Sequence, residues 1–226
     1  MGRKTGAALV LLLLSSMVLL AESSGKAPVL SAVPAEMQWR NLPADWKVDG
    51  KGETLTIAAG PSTDHFIPPT GGSGKMNSPL LLFTPAAEFS LSAKVTVDFQ
   101  SPWDAGVLVV WLDETTWAKL CFERSRDGKP MIVTVVTRGL SDDSNSIAIE
   151  GNAVYLKVAK TGQAILFYAS EDGKKWKSIR AFSFAPKEQK NLKAGFSSQS
   201  PTGQRCSTEF SEIRYSPKPV NLWTGE

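Results

Sequence analysis

From residue 38 onward, apolar and polar residues alternate in short runs, the period-two signature of half-buried β-strands. The alternation predicts strands at Phe89–Phe99, Ala105–Asp113, Trp117–Arg124, Met131–Arg138, Ala153–Lys160, Gln163–Ser170, Lys175–Phe184 and Cys206–Tyr215. Shorter runs at Gln38–Asn41, Thr54–Ala58, Asp64–Ile67 and Leu80–Phe83 read the same way. Nothing after the first 25 residues repeats apolar positions at helical spacing over three turns. Asp127-Gly128, Thr161-Gly162 and Asp172-Gly173 stand between strands where tight turns need residues that tolerate positive φ. Ser141 to Asn145 reads as a polar turn, and Pro68–Pro79 as a mobile surface loop at one end of the domain. The pattern predicts an all-β, two-sheet sandwich over residues 37–216.

One apolar run breaks this pattern, from Ala7 to Ala21, preceded by Arg3 and Lys4 and followed by Ala21, Ser23, Ser24 and Gly25. A run of that length is short for a membrane span of about 20 residues and has the flanks of an export signal. Residues 1–25 are expected to be a cleaved signal peptide, 26–36 a Pro-containing spacer and 217–226 a C-terminal tail. The product would be secreted or periplasmic, with no membrane attachment after cleavage. Cys121 and Cys206 could then pair in an oxidising compartment. Cys206 falls on an inward face and Cys121 on the opposite one, so the pairing stays open.

Composition narrows the function classes. The net charge of +3, from 25 Lys+Arg and 22 Asp+Glu, is spread along the chain, which argues against a nucleic-acid footprint. A single His and two Cys leave little for a zinc site or a His-based triad. No Gly-x-Ser-x-Gly elbow, phosphate loop or dinucleotide motif occurs, and no cofactor is implied.

Several motifs stand in register along the chain. They are Trp39 and Trp46 around Pro43, Thr63-Asp64-His65-Phe66, Trp103-Asp104-Ala105-Gly106 and Trp117-Ala118-Lys119-Leu120-Cys121-Phe122-Glu123. They continue through Thr137-Arg138-Gly139-Leu140-Ser141-Asp142, Ser170-Glu171-Asp172-Gly173 and Lys193-Ala194-Gly195-Phe196. Together they resemble a domain-of-unknown-function family sometimes labelled "regulation of enolase protein"-like, within the concanavalin A-like lectin/glucanase superfamily. The resemblance covers roughly residues 37–216 and implies a jelly-roll sandwich with a ligand site on a concave sheet. Family members usually carry an aromatic residue after the Ser-Asp pair, where this chain has Asp143-Ser144-Asn145.

Trp117, Lys119, Cys121 and Glu123 alternate, so on a strand they share one face. An indole with an ammonium and a carboxylate suits a sugar, whose C–H face stacks while its hydroxyls accept and donate hydrogen bonds. The same face also reads as a solvated surface with a Lys–Glu pair. Trp103, just before a strand, is expected at the groove edge. Asp64, Arg138 and Asp142 complete the expected ligand-binding set. Glu123 would be the acid or base of a glycoside hydrolase, but it has no carboxylate partner at short range; Asp64, Asp104 or Asp142 could supply one from elsewhere. Asp142, Asp143 and Asn145 offer oxygen ligands for calcium without EF-hand spacing. His65 reads as structural. The function expected is carbohydrate binding; the alternatives are hydrolysis through Glu123 or contact with a protein partner.

Overall fold

The computed structural model describes residues 27–226; the expected signal peptide, residues 1–25, lies outside them. Sixteen strands follow in chain order among the described residues. They are β1 (Gln38–Arg40), β2 (Asp45–Val48), β3 (Leu55–Ala59), β4 (His65–Phe66), β5 (Lys75–Met76), β6 (Leu80–Phe83), β7 (Phe89–Asp98) and β8 (Ala105–Asp113). The remainder are β9 (Thr116–Arg124), β10 (Pro130–Arg138), β11 (Leu140–Ala148), β12 (Ala153–Thr161), β13 (Ala164–Ser170), β14 (Lys177–Phe182), β15 (Lys193–Gln199) and β16 (Cys206–Ser216). Every strand predicted from alternation is present, with ends shifted by no more than two residues. The all-β class and the two-sheet sandwich hold.

The first sheet has the order β1-β6-β15-β8-β9-β10-β11 and the second β14-β13-β12-β7-β16-β3-β2, all antiparallel. Leu91, Val95 and Val97 of β7 meet Leu108 and Val110 of β8, with Phe122, Phe196 and Phe210, in the core between the sheets. Gly106 leaves no room for a side chain between the sheets: a Cβ there would stand 2.5 Å from side-chain carbons of Thr208 and Val95.

The first sheet is apolar on its outer face too. Leu80, Leu82, Val107, Val109, Cys121 and Val133 form a second cluster there. An outer face of this kind must be covered. Its cover is the β4–β5 hairpin, in which β4 falls in the strand expected at Asp64–Ile67 and β5 in the segment Pro68–Pro79 expected to be a mobile surface loop. The backbones of Ile67 and Ser141 bond across (Ser141 N to Ile67 O, 2.9 Å), and Asn41 Nδ2 holds the carbonyls of Met76 and Ser78.

Three further expectations change. Ser141–Asn145 is no turn; it lies within β11, an edge strand of polar residues, and charged side chains are how exposed edges avoid pairing with other chains. Residues 27–36 are no free spacer, because Leu30 and Val33 are buried in the inter-sheet core beside Met37. Residues 217–226 are likewise no loose tail. Val220 and Leu222 pack beside Leu166, Tyr168 and Trp176 on the outer face of the second sheet. The two cysteines are free thiols: Cys206 sits between the sheets and Cys121 on the outer face of the first, so a sheet separates them. Burial pushes both thiols up, that of Cys206 to about 12.

Candidate functional site

Antiparallel register carries the outer face of β9 across its neighbours as rows of side chains. Trp117 lies in a row with Trp111 and Thr137, Lys119 with Val109, Val135 and Asp143, and Glu123 with Ala105 and Gln199. The cover hairpin closes over the Trp117 end and leaves the Lys119–Glu123 end open. The result is a cleft of about 540 Å³, with Asp64 and Phe66 of the hairpin region on one side and Trp103 on the other.

Lys119 is the hub of the floor. Its side chain is 3% exposed, and Nζ donates to Asp64 Oδ1 at 3.1 Å and to Gln199 Oε1 at 2.8 Å. Gln199 Nε2 in turn donates to the Trp103 carbonyl at 3.1 Å and reaches Glu123 Oε2 at 3.5 Å. Gln199 and Glu123 lie on β15 and β9, two strands apart. They meet because the residue between them in the row is Ala105, whose methyl leaves room.

Burial alone would pull the Lys119 ammonium down, but the acidic groups around it, Asp64 first by charge and also by its hydrogen bond, outweigh burial and leave it raised. Glu123 is pushed up to about 8, chiefly by burial, with Asp143 and Asp64 adding repulsion against the opposing pull of Lys119. At neutral pH the Glu123 carboxyl is therefore protonated and can donate a hydrogen bond into the cleft. Asp143 is also raised, first by burial.

Trp103 occupies a turn that runs Ser101-Pro102-Trp103-Asp104, where Asp104 N returns to Ser101 O at 3.2 Å. Its φ is +66°, at the position that a type II turn normally gives to Gly. A bulky residue there is strained. Asp104 holds the turn, accepting from the backbone N–H groups of Gln100 and Ser101 and from Ser200 Oγ. Trp103 remains 40% exposed.

The expected residues thus divide. Lys119, Glu123, Asp64 and Trp103 are brought together. Trp117 is not available: it is 1% exposed, with His65 edge-on at 5.7 Å, so the hairpin occupies the stacking place a sugar would need. Arg138 and Asp142 point away, because their register partners belong to the opposite face. Arg138 donates to the Ser183 carbonyl and lies over Phe184, while Asp142 pairs with Arg180 at 2.8 Å. Asp142 and Asp143 therefore leave β11 on opposite faces and do not converge on a cation. No group of three or more acidic, His or Cys side chains suited to a metal occurs among the described residues. Gln199 and Phe66 belong to the cleft without having been marked as ligand residues.

His65 is buried, its Nδ1 2.6 Å from Ser78 Oγ, and burial followed by the Lys119 and Arg40 charges pulls it down to about 3. A base lowered on folding costs stability as pH falls from about 6.5 towards 3. An acid raised on folding, here Glu123, costs stability as pH rises from about 4.5 towards 8. The two slopes cancel between about pH 4.5 and 6.5, so their joint contribution has a plateau there and declines on both sides. Denaturant titrations across pH check this: Glu123→Gln should remove the alkaline decline while keeping the acid one. An unchanged alkaline limb would refute the buried neutral carboxyl.

A family model described as "Protein of unknown function (DUF1349)" matches residues 39–218. The chain belongs to the DUF1349 family. No curated protein matches this DUF1349 chain in sequence. Among solved structures it resembles a functionally unknown protein from Saccharomyces cerevisiae, with 23% identity, TM-score 0.73, and coverage of 82% of this chain and 97% of the other. The GH43 protein BlXynB from Bacillus licheniformis (K247S mutant) superposes with TM-score 0.64 at 16% identity, over 79% of this chain and 36% of that one. A xylan beta-1,4-xylosidase from Bacillus halodurans C-125 gives 0.62 at 17%, over 84% and 38%. The DUF1349 chain thus spans little more than a third of these GH43 proteins, and at such identities the likeness is one of fold.

Proposed function

We propose that this protein is an exported, secreted or periplasmic, carbohydrate-binding sandwich of concanavalin A-like type that takes a glycan into the cleft over β9. The observation carrying this reading is the pairing of two aromatic side chains, Trp103 and Phe66, with a floor of buried, mutually bonded polar groups in one open cleft. Aromatic walls bind the C–H faces of a sugar ring, and Lys119, Gln199 and protonated Glu123 offer donors and acceptors already fixed in place. The cleft volume lies within the range of small-ligand sites, roughly 300–1,000 Å³. The enolase-regulation label of the resembled family plays no part in this chemistry.

A second reading has one specific support. Glu123, an acid that stays protonated at neutral pH, shares its cleft with the carboxyl groups of Asp64 and Asp143. A raised acid beside a second carboxylate is what glycoside hydrolysis needs. The two readings separate in one experiment: calorimetric titration with xylan, xyloglucan and other soluble polysaccharides, with reducing ends assayed in parallel. The binding reading expects saturable heat that falls in Phe66→Ala, with no release of reducing ends. Release that disappears in Glu123→Gln would move the protein to the hydrolases. Silence across the panel would reject both in favour of a protein partner.

A further inference from the structure

The outer face of the second sheet carries another groove, of about 210 Å³, with the whole sandwich between it and the cleft over β9. On its floor, register sets Lys157 of β12 and Arg214 of β16 on either side of Ser92 of β7. Adjacent strands lie about 4.8 Å apart, so these two cations are carried on backbones about 10 Å apart with only a Ser between them. Tyr155 and Trp176 form the walls. The Asp172-Gly173 turn is packed down on Tyr155: a Cβ at Gly173 would fall 2.8 Å from its ring.

The charges of this groove are unbalanced. Lys157 is only 9% exposed, and its Nζ lies 3.9 Å from the Trp176 ring centroid and donates to the Gly225 carbonyl at 2.7 Å. An ammonium has three donors, and this carbonyl takes one. Arg214 makes no ion pair among the described residues. The one acid lining the groove, Glu212, accepts the Tyr155 hydroxyl at 2.8 Å. It sits at φ +49° in a bulge between Ser211 and Arg214 that interrupts the longest strand at this place. Bulges re-aim side chains, and the extra residue in this one puts Arg214, in place of Ile213, opposite Ser92 on the groove face. Burial holds the Lys157 ammonium down to about 8; the pull of Glu226 opposes this, and the smaller push of Arg214 adds to it. An anion between the two cations would relieve that opposition.

We propose that this groove is a binding site for an oxyanion, a carboxylate or sulfate group, held between Lys157 and Arg214 against the Trp176 and Tyr155 rings. Arginine grips such groups through two parallel N–H bonds, and a buried lysine contributes charge where water screens it least. The site is independent of the glycan reading, since it shares no residue with the cleft.

The test is titration of the full protein with sodium sulfate, sodium glucuronate and glucose. Binding is followed by calorimetry and by the Trp176 indole N–H resonance, against sodium chloride at matched ionic strength. A saturable response to sulfate, glucuronate or both is expected, with none to glucose. Response to glucuronate alone assigns a planar carboxylate and to sulfate alone a tetrahedral oxyanion. The affinity should fall at least tenfold in Lys157→Met and in Arg214→Gln, and Arg214→Lys, which keeps the charge but not the fork of donors, should keep only part of it. Arg214 is exposed, so its variant should fold even if Lys157→Met does not. No response beyond that of chloride, or a response unaltered by Arg214→Gln, overturns the proposal.

Discussion

Lys119→Met should destabilise the protein by about 3 kcal/mol, the largest loss expected from any single change at the cleft floor. Removing one partner of a buried pair leaves the other charge uncompensated, which typically costs about 3–5 kcal/mol. Two features set the value at the low end. Asp64 keeps 17% of its side chain exposed, and Glu123 is already neutral, so one carboxylate rather than two loses its counter-charge. Gln199 Oε1 also loses its donor. For a domain of this size the melting temperature would fall by roughly 6–12 °C. Urea unfolding of the variant, of Asp64→Asn and of the double variant measures the coupling directly. Asp64→Asn should restore part of the loss in the Lys119→Met background. A loss below about 1 kcal/mol, with additive singles, would show the pair to be screened by water and the floor to be less rigid than its hydrogen bonds imply.

Trp103→Gly should do the opposite: leave stability nearly unchanged and remove glycan affinity. The left-handed conformation costs an L residue about 1–2 kcal/mol, and Gly avoids that cost while losing about 0.5–1 kcal/mol to chain entropy. With Trp103 two-fifths exposed, the packing lost is modest, and the net change should stay within about 1 kcal/mol. Binding, by contrast, loses the apolar contact of an aromatic wall, about 1.5–3 kcal/mol or at least tenfold in Kd. Calorimetry on the glycan that responds in the wild type, alongside unfolding curves, tests both halves. A stability loss above 2 kcal/mol with affinity intact would make Trp103 a structural residue held in its strain for packing alone.

Short runs bounded by turn residues were enough to place β7 to β10, β12, β13 and β16, although β8 and β13 are apolar on both faces and show no alternation. Alternation also placed Lys119 and Glu123 on one face of β9, because that follows from the strand period alone. It could not show what covers that face. The hairpin over Trp117 comes from residues more than 40 positions upstream, and its Gly- and Pro-rich link carries no strand signal. Arg138 and Asp142 were misplaced for a related reason: which face a residue takes on β10 or β11 depends on register with β9, and a one-residue offset reverses it. Strand β11 itself was invisible because polar residues on a sheet edge look the same as a solvated turn. Gln199 joined the site through a contact across Ala105, which only the order of strands creates.

That order also bears on how the chain folds. The last two strands, β15 and β16, are not at sheet edges; β15 separates β6 from β8, and β16 separates β3 from β7. Until residues 193–216 arrive, each sheet is two fragments with open edges. Pairings so distant in sequence fold slowly, on the scale of milliseconds to seconds, and synthesis delivers these strands last. Before then, β6 and β8 in one sheet and β3 and β7 in the other present unpaired edges, the kind that invite pairing with other chains. Four strand edges are thus closed in one late step, when residues 193–216 insert into both sheets.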